Sequence, residues 1–178
     1  EFVDWTNQGL SAFSKYGYIP QTNMLKPMFT DGTDLSNYTL LRYGYYGKKG
    51  DVIRQFPADH CYLMSYARAY KLTGNIELWA IIRNIAKSSG LGDLGQVPGQ
   101  GVNINELTTV DDARALFAVL DIYKGLKHPD YLDLACRIGC NIISNKYKNG
   151  FFIKSDTSIN ANFDAIEPLA LISLYAVM

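Results

Sequence analysis

The chain has 178 residues, and its 17 Lys and Arg side chains are balanced by 17 Asp and Glu side chains. Because there is no overall charge to attract polyanions, this composition excludes a general role in binding nucleic acid or an anionic membrane. No apolar run approaches the roughly 20 residues of a membrane span, and the first residues do not read as an export signal. We expect any such signal to have been removed.

The first predicted element is an outer helix over about residues 2–16, where aromatic side chains recur near one face. The stretch 16–57 that follows is rich in tyrosine, phenylalanine and glycine and also carries basic side chains. Within it, 38–46 and 51–56 can pair as a short hairpin across 47–50. Aromatic rings beside cationic groups suit sugar rings and their carboxylates. A long, well-packed loop is the alternative interpretation.

Five further helices follow. Hydrophobic spacing places them at about 58–72, 76–87, 112–124 and 130–144, with a sixth starting near Asp164. Gly74 is expected to cap the second helix, and Pro129 to start the fifth. The fourth helix is apolar almost all round, so we expect neighbours on several of its sides. A small hairpin is predicted around 147–153.

A repeat of about 53 residues relates the second, fourth and sixth helices. Asp59 and Asp112 open two copies, and Asp164 opens a third at a spacing of 52. Each unit of two helices needs neighbours to bury its apolar face. The sequence therefore predicts an all-α array of helical hairpins, a partial α/α toroid forming one domain over 1–178. Its long loops and small β-hairpins are expected on one rim.

The sixth predicted helix carries an apolar face that the chain as given does not cover. A closed toroid needs roughly five to seven hairpins, and three can be counted. We expect either further sequence beyond Met178 or association into a homodimer to cover that face.

Several strings carry a resemblance to a known family: 44–52 (GYYGKKGDV), 70–79 (YKLTGNIELW), 90–95 (GLGDLG) and 161–170 (ANFDAIEPLA). They resemble bacterial pectate-lyase-like polysaccharide lyases built on α/α toroids, over most of residues 28–178. The resemblance implies cleavage of uronate polymers by β-elimination, an acidic polysaccharide as partner, and a secreted or periplasmic protein.

β-Elimination needs a base for the proton next to the uronate carboxylate, a cation for that carboxylate and an acid for the leaving oxygen. His60 is the candidate base, and Tyr43 or Tyr46 the candidate acid. Basic side chains of the same region are candidates to neutralise the carboxylate: Arg42, Lys48, Lys49 and Arg54. For His60 the alternative is a histidine satisfied by a backbone or carboxylate partner. For the basic residues the alternative is solvated loop charge.

Acidic and amide side chains at the helix starts complete the predicted site. Asp59, Asp112 and Asn162 are candidates to bind sugar hydroxyls, and Asp164 with Glu167 to bind a divalent cation, either Ca²⁺ or a transition metal. Helix capping is the stronger interpretation of the aspartates, and Asp164 with Glu167 matches a capping box.

Toroid pectate lyases that use a transition metal hold it with two histidines and a glutamate. This chain has only His60 and His128, and His128 falls in a short turn predicted at the opposite end. The departure leaves two further functions open, a toroid-type glycoside hydrolase acting through two carboxylates and a non-catalytic carbohydrate-binding fragment.

Overall fold

The computed structural model describes residues 1–154, 157–160 and 163–178. Its contacts divide the chain into two compact units, Glu1–Ala58 and Asp59–Met178. The predicted all-α class is confirmed, because helices dominate and the described strands form only small antiparallel sheets. The assignment of the whole chain to one domain stays a prediction. None of the helices in the described part of the chain is both long enough and apolar enough to span a membrane.

The first unit begins with α1 (Phe2–Ala12), which continues as a short π-helix (Phe13–Gly17). This confirms the first predicted helix. Three two-residue strands then form one antiparallel sheet, in the order β1 (Tyr18–Ile19), β2 (Met24–Leu25) and β3 (Phe56–Pro57).

Between β2 and β3, the predicted hairpin exists in a shorter form than expected. The backbone N–H of Leu40 donates to Asp51 O at 2.8 Å, and that of Ile53 donates to Tyr38 O at 2.9 Å. Towards its tip, the backbone N–H of Gly50 donates to Leu40 O at 2.8 Å, and Gly44 and Gly47 exchange two backbone hydrogen bonds of 3.0 and 3.3 Å. Tyr45 and Tyr46 therefore form a tight turn at the tip, ahead of the predicted turn over 47–50.

The described residues of the second unit form five helices and two small hairpins. Its elements in chain order are α2 (His60–Thr73), a 3₁₀ turn (Ile76–Leu78), α3 (Trp79–Ser88), β4 (Gly92–Asp93), β5 (Asn103–Ile104), α4 (Ala113–Leu126), α5 (Pro129–Lys146), β6 (Tyr147–Lys148), β7 (Phe151–Phe152) and α6 (Glu167–Tyr175). Gly74 caps α2 with φ at 67°, and Pro129 stands at the start of α5, both as predicted. The hairpin β6–β7 is also confirmed.

The core of the second unit is built around α4, which packs against α2, α5 and α6. Eight of its residues are buried, which confirms the predicted enclosure of this helix on several sides. Each fully buried Leu or Ile contributes roughly 1.5–3 kcal/mol to folding.

Helices α2 and α4 run parallel and nearly in register. Asp121, whose side chain is 6% exposed, accepts from Arg68 Nε at 2.8 Å and from Lys71 Nζ at 2.7 Å. Arg68 and Asp121 are 53 residues apart, so the ion pair joins equivalent positions of the repeat. The starts of both helices consequently lie at the same end of the unit.

The string 90–95 proves to be a tight structural loop that precedes α4. Leu91 and Leu94 are fully buried, and Asp93 accepts from Arg83 Nε at 2.6 Å and Nη2 at 2.7 Å. Trp79 Nε1 donates to Gly95 O at 2.9 Å. This stretch of the resemblance therefore encodes packing and loop geometry.

The start predicted for the sixth helix is wrong. α6 begins at Glu167, its N-cap is Ile166, and that cap makes no side-chain hydrogen bond, so Asp164 and Glu167 do not form a capping box. Pro168 in the first turn fits this later start, because it lacks the N–H that an earlier helix would need at that position. Of the predicted apolar face, Leu174 is buried while Leu169, Ile172 and Tyr175 are exposed.

Candidate active site

Two aspartates cap the parallel helices at the end where the long loops lead in. Asp59 Oδ1 accepts from the backbone N–H groups of Cys61 at 2.9 Å and Tyr62 at 3.4 Å. Asp112 Oδ1 accepts from the backbone N–H of Arg114 at 2.7 Å. Both predicted caps are confirmed, and each contributes about 0.5–2 kcal/mol to stability. Sugar binding by these aspartates stays a prediction.

His60 and Asp112 are brought together across these two helices. His60 Nδ1 lies 3.2 Å from Asp112 Oδ2, and the two side chains are 19% and 31% exposed. His60 Nε2 is buried and has no hydrogen-bond partner among the described residues. The imidazole is thus held by one nitrogen and unpaired at the other, so the carboxylate-partner alternative and the candidate-base prediction are both compatible with the geometry.

The Asp112 carboxylate is held in its charged form. Burial by itself raises its pKa, but the hydrogen bonds from His60 and from the Arg114 backbone outweigh burial, so its pKa lies below the usual value. A carboxylate that is charged at neutral pH can only accept hydrogen bonds, and His60 Nδ1 must be the donor.

The segment leading into Asp112 is fixed by side chains of α5. Asn141 Nδ2 donates to Thr108 O at 2.9 Å and to Val110 O at 3.0 Å, and Arg137 Nη1 donates to Glu106 O at 2.9 Å. The sequence does not predict these contacts, because polar side chains that bind a loop backbone leave no periodic pattern.

Glu167 faces a lysine at the same rim. Lys146 Nζ lies 3.5 Å from Glu167 Oε1 and 3.6 Å from Asp111 Oδ1, while Asn145 Nδ2 donates to Asp111 Oδ2 at 3.1 Å. The cluster ties the start of α6 to α5 and to the segment before α4.

Asp164 is exposed ahead of α6. The cation site at these two carboxylates stays a prediction, and the predicted sugar ligand Asn162 lies outside the described residues.

A metal site with two histidines and a glutamate does not fit this chain. His128 is the N-cap of α5, where its Nδ1 accepts from the Asp130 backbone N–H at 3.3 Å. α4 separates the two ends of the unit by 14 residues, or about 21 Å, so His128 cannot join His60. Within 1–154, 157–160 and 163–178, no group of three or more His, Cys, Asp or Glu side chains is arranged to hold a metal ion.

The predicted aromatic and cationic residues lie together in the first unit, on residues 41–54, here called the tyrosine–cation loop. Arg42, Tyr43, Tyr46, Lys48 and Arg54 are all exposed. The rings of Tyr45 and Tyr46 are 96% and 84% exposed and meet edge to face at 5.4 Å.

Cations outnumber acids in this loop. Its four basic side chains, Lys49 among them, form no ion pair with any described residue, and its single acid, Asp51, accepts from the Lys48 backbone N–H at 2.7 Å. Exposed rings beside unpaired cations are suited to a sugar acid.

Comparison with known proteins supports this chemistry. The model of the family described as periplasmic pectate lyase matches residues 1–178. The chain is also 25% identical over 176 residues to a pectate disaccharide-lyase of Dickeya dadantii (strain 3937), an alignment that covers 99% of this chain and 30% of that enzyme. The family description confirms the predicted secreted or periplasmic location at the level of the family. The resemblance is likewise confirmed: the chain belongs to the periplasmic pectate lyase family.

Proposed function

We propose that this chain acts in the cleavage of pectate-type uronate polymers by β-elimination. The observation that carries the proposal is the His60–Asp112 pair in a member of a pectate lyase family, because it leaves His60 Nε2 without a hydrogen-bond partner among the described residues. The chain spans 30% of the length of its curated relative, so the activity of the whole protein is part of the proposal.

The proposed reaction needs three groups, and the chain offers candidates for each. The proton on the carbon next to the carboxylate passes to His60 Nε2. The electron pair of that C–H bond forms the new C=C bond, and the C–O bond to the next sugar breaks with its electron pair on oxygen. That oxygen takes a proton from an acid, for which Tyr46 or Tyr43 is proposed.

The negative charge that develops on the uronate needs a cation. Arg54, Arg42 and Lys48 are the proposed groups, because they are exposed and form no ion pair with a described residue. Arg can bind a carboxylate through two parallel hydrogen bonds, which makes Arg54 and Arg42 the stronger candidates. A divalent cation at Asp164 and Glu167 remains a separate proposal.

A glycoside hydrolase is less well supported. It needs two carboxylates on either side of the scissile bond, at roughly 5–9.5 Å from each other. Here Asp59 and Asp112 cap helices, and Glu167 lies 3.5 Å from Lys146 Nζ. Three of the acids proposed for hydrolysis therefore already form helix caps or an ion pair within the protein.

The test is incubation of the purified chain with polygalacturonate while ultraviolet absorbance is followed. β-Elimination leaves an unsaturated uronate, which absorbs, whereas hydrolysis yields new reducing ends without that absorbance. The reaction is run with added Ca²⁺ and with a chelator, which tests the cation proposal separately. Binding without either product would identify a carbohydrate-binding fragment and overturn the proposed activity.

The tyrosine–cation loop is tested by binding. Arg54→Ala is expected to weaken binding of oligogalacturonate roughly 10-fold or more, since a charge-assisted hydrogen bond contributes about 1.5–3 kcal/mol. The thermal midpoint should be unchanged, because the side chain is exposed. Lys124→Ala, at the far end of α4, is the matched control for loss of one exposed positive charge.

A further inference from the structure

The two nitrogens of the His60 ring have different environments. Nδ1 lies 3.2 Å from the Asp112 carboxylate, and Nε2 is buried without a partner in the described part of the chain. Because an ionised carboxylate can only accept, the proton of a neutral His60 ring must sit on Nδ1. The lone pair is then on Nε2, which is the nitrogen that a proton acceptor requires.

We infer that Asp112 is the positioning residue of His60, holding its ring in the Nδ1–H tautomer so that Nε2 presents a lone pair. The inference rests on the proposed function only for the use of that lone pair. It gives Asp112 a contact inside the protein, while the predicted sugar-binding role of Asp112 stays a prediction.

The geometry gives Asp112 this role by using both of its oxygens. Oδ1 accepts from the Arg114 backbone N–H at 2.7 Å, which fixes the carboxylate at the start of α4. Oδ2 is left pointing to the neighbouring helix, where His60 is the first residue of α2. A helix cap thereby also serves as the orienting partner of an imidazole.

The repeat shows why this contact occurs at one interface. His60 in α2 is equivalent to Ala113 in α4, and Asp59 is equivalent to Asp112. Asp59 caps α2 in the same way, but the alanine at 113 cannot reach towards the next helix. Among the described residues, the charged group that meets the His60 ring is Asp112, the N-cap of α4, while Asp59 precedes His60 as the N-cap of α2.

The test is the tautomer of each histidine, read from long-range ¹H–¹⁵N spectra of the ¹⁵N-histidine-labelled chain at about pH 9, where imidazole is neutral. The chain has two histidines, and they are expected to differ. His60 should carry its proton on Nδ1. His128 should carry it on Nε2, because its Nδ1 accepts from the Asp130 backbone. His128 is thus an internal control in the same spectrum.

Two variants test whether Asp112 is the cause. Asp112→Asn retains a good helix cap, but places an NH₂ group towards Nδ1 and should move the His60 proton to Nε2. Asp112→Ser also caps but cannot reach His60, and the ring should return to the Nε2–H form that free imidazole favours. Asp59→Asn alters the equivalent cap and should leave the His60 tautomer unchanged.

The outcomes separate this inference from the proposed function. A wild-type His60 ring protonated on Nε2, or a ring that stays protonated on Nδ1 in both Asp112→Asn and Asp112→Ser, would overturn the inference. If the tautomers behave as expected and the chain forms unsaturated product, Asp112→Asn should slow that reaction by about 10²–10⁴-fold. Expected tautomers in a chain without any activity would support the positioning and overturn the proposed function.

Discussion

Gly92, in the loop that leads towards Asp112, tolerates no side chain. Its φ is +92°, and a Cβ built there would overlap the Asn105 nitrogen and lie 2.6 Å from Ile104 C and 2.7 Å from Asn103 O. All three atoms belong to the backbone of β5 or of the residue that follows it, which cannot move without opening the β4–β5 pair. Gly90 is a matched control, because its φ is +83° and a Cβ there would meet nothing within 4 Å.

The two substitutions therefore separate backbone strain from collision. Gly90→Ala adds only the cost of a left-handed conformation, about 1–2 kcal/mol. Gly92→Ala adds the same strain and also displaces β5, so we expect the free energy of unfolding to fall by more than about 4 kcal/mol. For a chain of this size 1 kcal/mol corresponds to about 2–4 °C in melting temperature, which predicts a difference of at least about 4 °C between the variants.

Urea unfolding followed by tryptophan fluorescence measures the stability of both variants, Gly90→Ala and Gly92→Ala. Trp79 is 2% exposed and bonded to Gly95 O, whereas Trp5 is 58% exposed, so the signal change reports mainly on the second unit. Equal losses of stability in Gly90→Ala and Gly92→Ala would refute the reasoning, since only the collision distinguishes them.

Three further predictions concern the second unit. Asp121→Ala removes the ion pairs with Arg68 and Lys71 of α2 and should cost about 2–4 kcal/mol of unfolding free energy measured in urea, near the lower end because Arg68 is half exposed; a cost below about 0.5 kcal/mol would contradict this prediction. The hydrogen bond from Arg83 holds the pKa of Asp93 well below its usual value. The Asp93 carboxylate therefore contributes its full stabilisation above about pH 4, and this stabilisation fades as the pH falls further. Asp93→Asn should flatten that acid limb of the stability profile, and an unchanged profile would exclude this role. Asn141→Leu should lower the protection of the 106–110 backbone in hydrogen exchange, and unaltered protection would show that other contacts hold the segment.

Much of the helical architecture could be predicted because its signals are local and periodic. The cap of α2 at Gly74, the proline start of α5 and the apolar surround of α4 each follow from one rule of helix chemistry. The start of α6 could not be predicted in this way. The Asp164–Glu167 spacing satisfied the capping-box pattern, but the helix begins at Glu167, whose carboxylate lies near Lys146 from α5.

For the candidate site, the sequence predicted residues but not the contacts between them, and the roles of those residues stay predictions. Aligning the repeat places His60 opposite Ala113, next to Asp112, and Arg68 opposite Asp121. The opposite charges of Arg68 and Asp121 at equivalent positions could have predicted the buried ion pair. In the same way, Asp112 next to the position equivalent to His60 could have predicted the contact between these two side chains. The Lys146 contacts carried no such signal, because they join the end of one helix to the starts of two others.

The most direct test is the initial rate at which unsaturated product forms from polygalacturonate, compared between the wild-type chain and His60→Gln. His128→Asn is the control, because Asn keeps the cap of α5 and His128 lies at the opposite end of the unit. If His60 is the base, His60→Gln should lose about 10²–10⁴-fold in rate while His128→Asn loses little. Equal rates in His60→Gln and the wild-type chain would contradict the account.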